Sequence, residues 1–158
     1  MKSFSYLAFA VGYRRVSLVL LQHGKLATWQ TSCKAAEGVA ETRAFAEEAM
    51  ELLQPHVVVF EDIRSGTRKG KQSQRLMTAI SEVAQNSAAH SVAIKRERLF
   101  RCRYAEAAHL AKCYPDLADK TPSRRFFDKE PHHVVLFEAL ALADQAVRGS
   151  SELLAANM

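Results

Sequence analysis

Cysteine is scarce and unpaired in this sequence: Cys33, Cys102 and Cys113 are an odd set, without Cys-x-x-Cys spacing or nearby paired histidines. That pattern argues against a disulfide framework and against a zinc site, and for reduced thiols in a cytoplasmic protein. The expected role of all three is that of small buried hydrophobes. Long apolar runs are missing as well. The stretch from Tyr6 to Val11 is cut short by Gly12, Arg14 and Arg15, which leaves neither a signal-peptide core with its cleavage site nor a span of about 20 residues, so no membrane partner is expected. There is no Gly-x-Ser-x-Gly elbow to support acyl transfer. A loose phosphate-loop string from Gly66 to Ser73 fails because its first glycine sits too close and Gln72 stands where a hydroxyl would hold magnesium. Repeats, linkers and low-complexity segments are absent too. A chain of 158 residues then reads as one domain over residues 1–148 with a flexible tail over 149–158, long enough to bury about two thirds of its unfolded surface.

What is present is charge, unevenly placed. The net charge of +5 combines an acidic stretch between Glu37 and Glu51 with two basic ones, five cations from Arg64 to Arg75 and five from Lys95 to Arg103 against the single acid Glu97. Cations gathered in two segments are an electrostatic footprint for a polyanion, since each phosphate neutralised releases condensed counterions. Ordinary solvated surface is the competing explanation. The candidate phosphate-binding residues are Arg64, Arg68, Lys69, Lys71, Arg96, Arg98, Arg101 and Arg103.

Hydrophobic periodicity supplies the elements. Residues 3–11, 16–21 and 26–31 are β-rich runs separated by Gly12-Tyr13-Arg14-Arg15 and His23-Gly24-Lys25, which reads as a three-strand meander. From Glu37 to Leu53 the period changes: Val39, Thr42, Phe45, Ala46, Ala49, Met50 and Leu53 lie on one side of a helix, with glutamates opposite. A second amphipathic helix spans Ser73 to Asn86, a short strand Ser91 to Ile94, and an alanine-rich helix Arg101 to Lys112. Residues 120–131 are irregular, and Pro131 suits the first turn of a last, very apolar helix running from His132 to Val147. Strands first, then alternating helices and strands, describe a mixed five-stranded sheet with helices on both faces.

Two places in that plan carry carboxylates where apolar residues are expected. Val57-Val58-Val59-Phe60 reads as a strand buried on both faces, and it ends in Glu61-Asp62. Side chains alternate, so Glu61 shares a face with Val57 and Val59 while Asp62 shares one with Val58 and Phe60. These acids either mark a solvated strand end or carry chemistry at the carboxyl end of a central strand. Glu138 is the other, the only charge between His133 and Asp144. Buried without a partner it would be costly, so it either lies on an exposed stripe or faces the strand end that carries Glu61. His132 and His133 are not a chelating pair, because adjacent helical residues point about 100° apart.

Taken together, Leu7 to Ser17 with its glycine turn, Val57 to Asp62, and Phe137-Glu138-Ala139-Leu140-Ala141-Leu142-Ala143 resemble the ribonuclease H-like superfamily. Within it the chain looks like the RuvC-type Holliday-junction resolvases, over roughly residues 6 to 148. The resemblance implies a ribonuclease H-like fold, and two magnesium or manganese ions held by four carboxylates, one of them at times a histidine, that cleave phosphodiesters. Carried over residue by residue, Glu61 matches the fourth-strand glutamate and Glu138 the last helix acid, and these two are the candidate catalytic and metal-holding residues. Ala10 stands where the first-strand aspartate belongs, and no aspartate precedes Asp62; Val135 stands where the other helix ligand belongs. His132 and His133 lie off the required face. A single metal on Glu61 and Glu138, helped by Asp62 or Asp128, is the residual possibility.

Losing two of four anionic ligands should cripple such a site. The expectation is therefore a nucleic-acid-binding protein, for DNA rather than RNA, of RuvC-like fold with a degenerate nuclease centre and no cofactor. The resemblance adds a homodimer. Two rivals stand beside it: an active metal-dependent endonuclease on branched DNA, and a scaffold for protein contacts that kept the fold.

Overall fold

The computed structural model describes residues 4–65, 69–96, 100, 102–121 and 133–156. Five strands form one mixed sheet: β1 (Ser5–Gly12), β2 (Arg15–Gln22), β3 (Lys25–Ser32), β4 (Val57–Glu61) and β5 (His90–Ile94). Their spatial order is β3-β2-β1-β4-β5. The meander is antiparallel, whereas β1 pairs β4, and β4 pairs β5, in parallel. Helices α1 (Val39–Leu53), α2 (Lys71–Gln85), α3 (Arg103–Cys113) and α4 (Val134–Ala156) complete the fold. Helix α4 continues past Val147, where the apolar periodicity stops, because nothing from Arg148 to Ala156 is a proline and helix formers return at Glu152 to Ala156.

The strand β1 decides how the two helical layers sit. Its sequence alternates large and small, Leu7-Ala8-Phe9-Ala10-Val11, and the pleat sends the two sets to opposite faces. Leu7, Phe9 and Val11 join Val58 and Phe60 in a core closed by Ala46 and Ala49 of α1 and by Leu76, Met77, Ile80 and Val83 of α2. Ala8 and Ala10 join Val59 on the other face, under Val135, Leu136, Ala139 and Leu140 of α4, with Leu110 of α3 beside them. Methyl groups on the sheet let the most apolar helix approach closely, at the density of a packed interior. A mixed sheet with helices on both faces is thus what the chain forms.

Both hairpins are closed by two-residue turns, and they differ in chemistry. At one end Gln22 pairs with Lys25 across His23 (φ 56°) and Gly24 (φ 72°), the pair of positive φ angles that matches the twist of a hairpin. At the other end Gly12 pairs with Arg15 across Tyr13 and Arg14, and Arg14 holds φ 57°.

The cysteines depart from expectation. Cys33, Cys102 and Cys113 are all exposed, because each falls at an element end: Cys33 just past β3, Cys102 at the N-cap of α3, Cys113 at its last residue. Among the described residues no helix is long and apolar enough to cross a membrane.

Helix α3 is tied to α4 by Tyr114, whose hydroxyl donates to Asp144 Oδ1 at 2.8 Å, while Arg148 Nε donates to Asp144 Oδ2 at 2.9 Å. Burial, aided by that hydrogen bond to Asp144, raises the Tyr114 hydroxyl well above the usual tyrosine range. The folded state therefore keeps the proton that an unfolded tyrosine loses near about pH 10, so its contribution is complete below that pH and fades as pH rises further. Denaturation midpoints of the wild type should fall more steeply above about pH 10 than those of Tyr114→Phe; parallel alkaline slopes would show that this hydroxyl does not couple to folding.

Candidate functional site

Parallel pairing puts the carboxyl ends of β1, β4 and β5 at one edge of the sheet, and the charged residues collect there. Glu61, partly buried, ends β4 on the face of Val57 and Val59, which is the α4 face. Two residues past the Ala8–Val59 pair, the same face of β1 carries Ala10, 6% exposed and packed in the core. Val135, on α4, is completely buried. Both positions that the family resemblance assigns to metal-binding acids are therefore apolar wall.

Glu138 is not an exposed stripe. Its side chain is 14% exposed, and Lys69 Nζ donates to its Oε2 at 2.7 Å. The same ammonium donates to the backbone carbonyl of Val11, which lies beyond the last β1–β4 pair, Ala8–Val59. Arg96 stands on the other side of the carboxylate, its Nη1 at 3.9 Å from Oε1, and its Nη2 donates to Glu106 of α3. Two cations and two carboxylates thus alternate along the seam between the sheet edge, α3 and α4. Such a set satisfies the demand that a buried charge be paired and hydrogen-bonded. It does not suit a divalent cation, which needs several oxygen ligands in near-octahedral order; here an ammonium already lies between Val11 and Glu138. Among the described residues no three His, Cys, Asp or Glu side chains converge where a metal could be held.

Asp62 has a separate task. It takes the opposite face from Glu61, and its Oδ1 accepts from the Arg64 backbone N–H at 3.0 Å and from Arg64 Nε at 3.3 Å, capping the short 3-10 turn Ile63–Ser65.

The candidate phosphate binders divide into three sets. Arg64 is 85% exposed in its side chain, and Lys71 and Arg103 are exposed at the first residues of α2 and α3. Lys69 and Arg96 turn inward to carboxylates. Arg68, Arg98 and Arg101 lie outside the described residues, as do His132 and Asp128. Two participants had no local signal: Glu106 reads as an ordinary acid of an amphipathic helix, and the Val11 carbonyl is backbone.

The strand order and the parallel placement of β4 and β5 beside the meander are those of a ribonuclease H-like α/β fold. More narrowly, the chain has the fold of the RuvC-type Holliday-junction resolvases. No family model matches the sequence, nor does any curated protein. Solved structures do: Thermus thermophilus RuvC is 14% identical with a TM-score of 0.55, over 88% of this chain and 90% of that one. The same protein in complex with Holliday junction substrate is 15% identical with a TM-score of 0.55, over 89% and 90% of the two chains. The fowlpox virus resolvase in complex with its substrate Holliday junction DNA is 13% identical with a TM-score of 0.62, over 92% and 97%. At such identities the likeness establishes a shared fold.

Removing the ammonium leaves Glu138, among the described residues, beside Arg96. Breaking a buried pair costs about 3–5 kcal/mol, and with both side chains slightly exposed Lys69→Met should cost somewhat less, about 2–3 kcal/mol by urea denaturation. Lys69→Met combined with Glu138→Leu should regain most of that loss. A single variant as stable as wild type would mean the pair contributes nothing to the seam.

Proposed function

We propose that this chain binds nucleic acid, DNA in preference to RNA and duplex or branched in form, at the carboxyl edge of its sheet, and that its nuclease centre is degenerate. The observation that carries the reading is Lys69 Nζ, 2.7 Å from Glu138 and bonded to the Val11 carbonyl, with Ala10 packed in the core on the α4 face of β1. In a working two-metal centre, cations bridge carboxylates and substrate phosphate. Here a tethered, singly charged cation holds the carboxylate instead, and the chain keeps the architecture without the ligand set.

Binding is supported by exposed cations at the same edge. Arg64, Lys71 and Arg103 stand at loop and helix starts, and Arg68, Arg98 and Arg101 extend the two basic segments. The similar structures of fowlpox virus resolvase and Thermus RuvC hold Holliday junction DNA, which favours a branched duplex as the ligand. A homodimer, as the family resemblance implies, in the cytoplasm, as the unpaired cysteines suggest, completes the proposal.

Phosphate contacts should dominate. Each one contributes about −0.9 to the slope of log affinity against log salt, so Arg64, Lys71 and Arg103 alone would weaken binding about fortyfold between about 50 and 200 mM salt. Fluorescence anisotropy with duplex and four-way junction measures this; a flat salt response, or no binding at all, would favour a protein scaffold. Incubation of the same substrates with magnesium or manganese should give no cleavage. Cleavage that disappears in Glu61→Gln would replace a degenerate centre with an active endonuclease.

A further inference from the structure

We propose that the tip of the β1–β2 hairpin, Tyr13 with Arg14, is a stacking platform for an unpaired base, beside the phosphate-binding edge; this rests on the nucleic-acid-binding reading above. The turn follows the carboxyl end of β1, only two residues past Val11, whose carbonyl receives Lys69. It therefore projects from the same sheet edge as Glu61 and the basic segment that begins at Arg64. Tyr13 is 54% exposed, so its ring does little for the core. The guanidinium of Arg14 lies 5.1 Å from the ring centroid, within cation–π reach. That contact restrains the ring's orientation and places a positive charge beside it.

The backbone supports the same conclusion. Arg14 occupies the second position of a two-residue turn at φ 57°, a left-handed conformation that favours glycine and strains a bulky side chain. The hairpin at the opposite edge has Gly24 at the corresponding place, at φ 72°. Glycine would meet the backbone demand at position 14 without strain, so the turn itself does not call for an arginine there. A half-exposed aromatic ring with a guanidinium beside it matches the chemistry of a base with its phosphate: every base offers a π-face, and a cation tracks the backbone.

The test uses the full chain with Tyr13→Ala and Arg14→Gly, a single-stranded oligonucleotide carrying 2-aminopurine, a blunt duplex of the same sequence, and a four-way junction. Tyr13→Ala should weaken binding of the single strand by about tenfold or more, leave the blunt duplex within about twofold, and abolish the stacking-dependent change in 2-aminopurine emission. Arg14→Gly should weaken the single strand while its thermal midpoint stays at or above that of wild type, since glycine relieves the strained φ. The junction, whose crossover exposes base faces, should side with the single strand. Wild-type protein that binds no nucleic acid would remove both this inference and the reading it rests on. Wild-type binding that Tyr13→Ala leaves unchanged, or reduces equally for duplex and single strand, would overturn the stacking platform alone. An Arg14→Gly variant with a lowered midpoint would assign that arginine to folding and overturn its part in the platform.

Discussion

The ion pair between Lys69 and Glu138 ties three distant parts of the chain together at one point of the seam. One partner comes from the connection between β4 and α2, the other from the apolar surface of α4, and the ammonium also holds β1 beyond its last pair with β4 through the Val11 carbonyl. Desolvating a carboxylate so deep in an apolar helix is tolerable only with a partner of opposite charge and good geometry. Meeting that condition orders the residue that precedes α2, and Gln74 Nε2, donating to the Lys69 carbonyl at 2.7 Å, locks it from the helix side. Arg96 and Glu106 extend the same alternation to α3. Gln145 Nε2, donating to the Lys95 carbonyl at 2.9 Å, does so for the chain leaving β5.

Topology explains why this chemistry gathers at a single edge. A strand parallel to its neighbours delivers all their carboxyl ends to one side of the sheet, and β1, β4 and β5 do so here. Acids there would repel one another unless a cation intervenes. Magnesium or manganese is one solution, and a lysine that reaches across is another. Here Lys69 takes the second course, and Arg64, Lys71 and Arg103 are exposed where the chain leaves the strands and enters the helices.

Much of the architecture was legible in one sequence. The alternation in Leu7 to Val11 and the uninterrupted Val57 to Phe60 have the periods of strands, and the heptad-like spacing around Leu76, Ile80 and Val83 has that of a helix; these periodicities survive because burial in the fold demands them. The site was legible in part. Glu61 and Glu138 stand out as acids where the local pattern calls for apolar residues, and Ala10 and Val135 stand out against the family pattern. Lys69 did not: a lysine in a basic, glycine-flanked loop looks like surface, and only the folded path of the chain turns its side chain inward. The cysteines were misread for a related reason, since thiol chemistry alone does not reveal that a residue sits at an element's end.

Sequence alone determined the order of the strands and helices, most of the apolar faces, and which carboxylates have no apolar excuse, because these follow from side-chain hydrophobicity and its period along the chain. Tertiary structure decided which charges meet. Lys69 lies 69 positions from Glu138 and 58 from Val11, and Arg96 lies ten from Glu106. Pairing across such separations depends on strand order and on how closely α4 rests on the alanines of β1. No local pattern encodes either, because electrostatic energy depends on distance in space and not on distance along the chain.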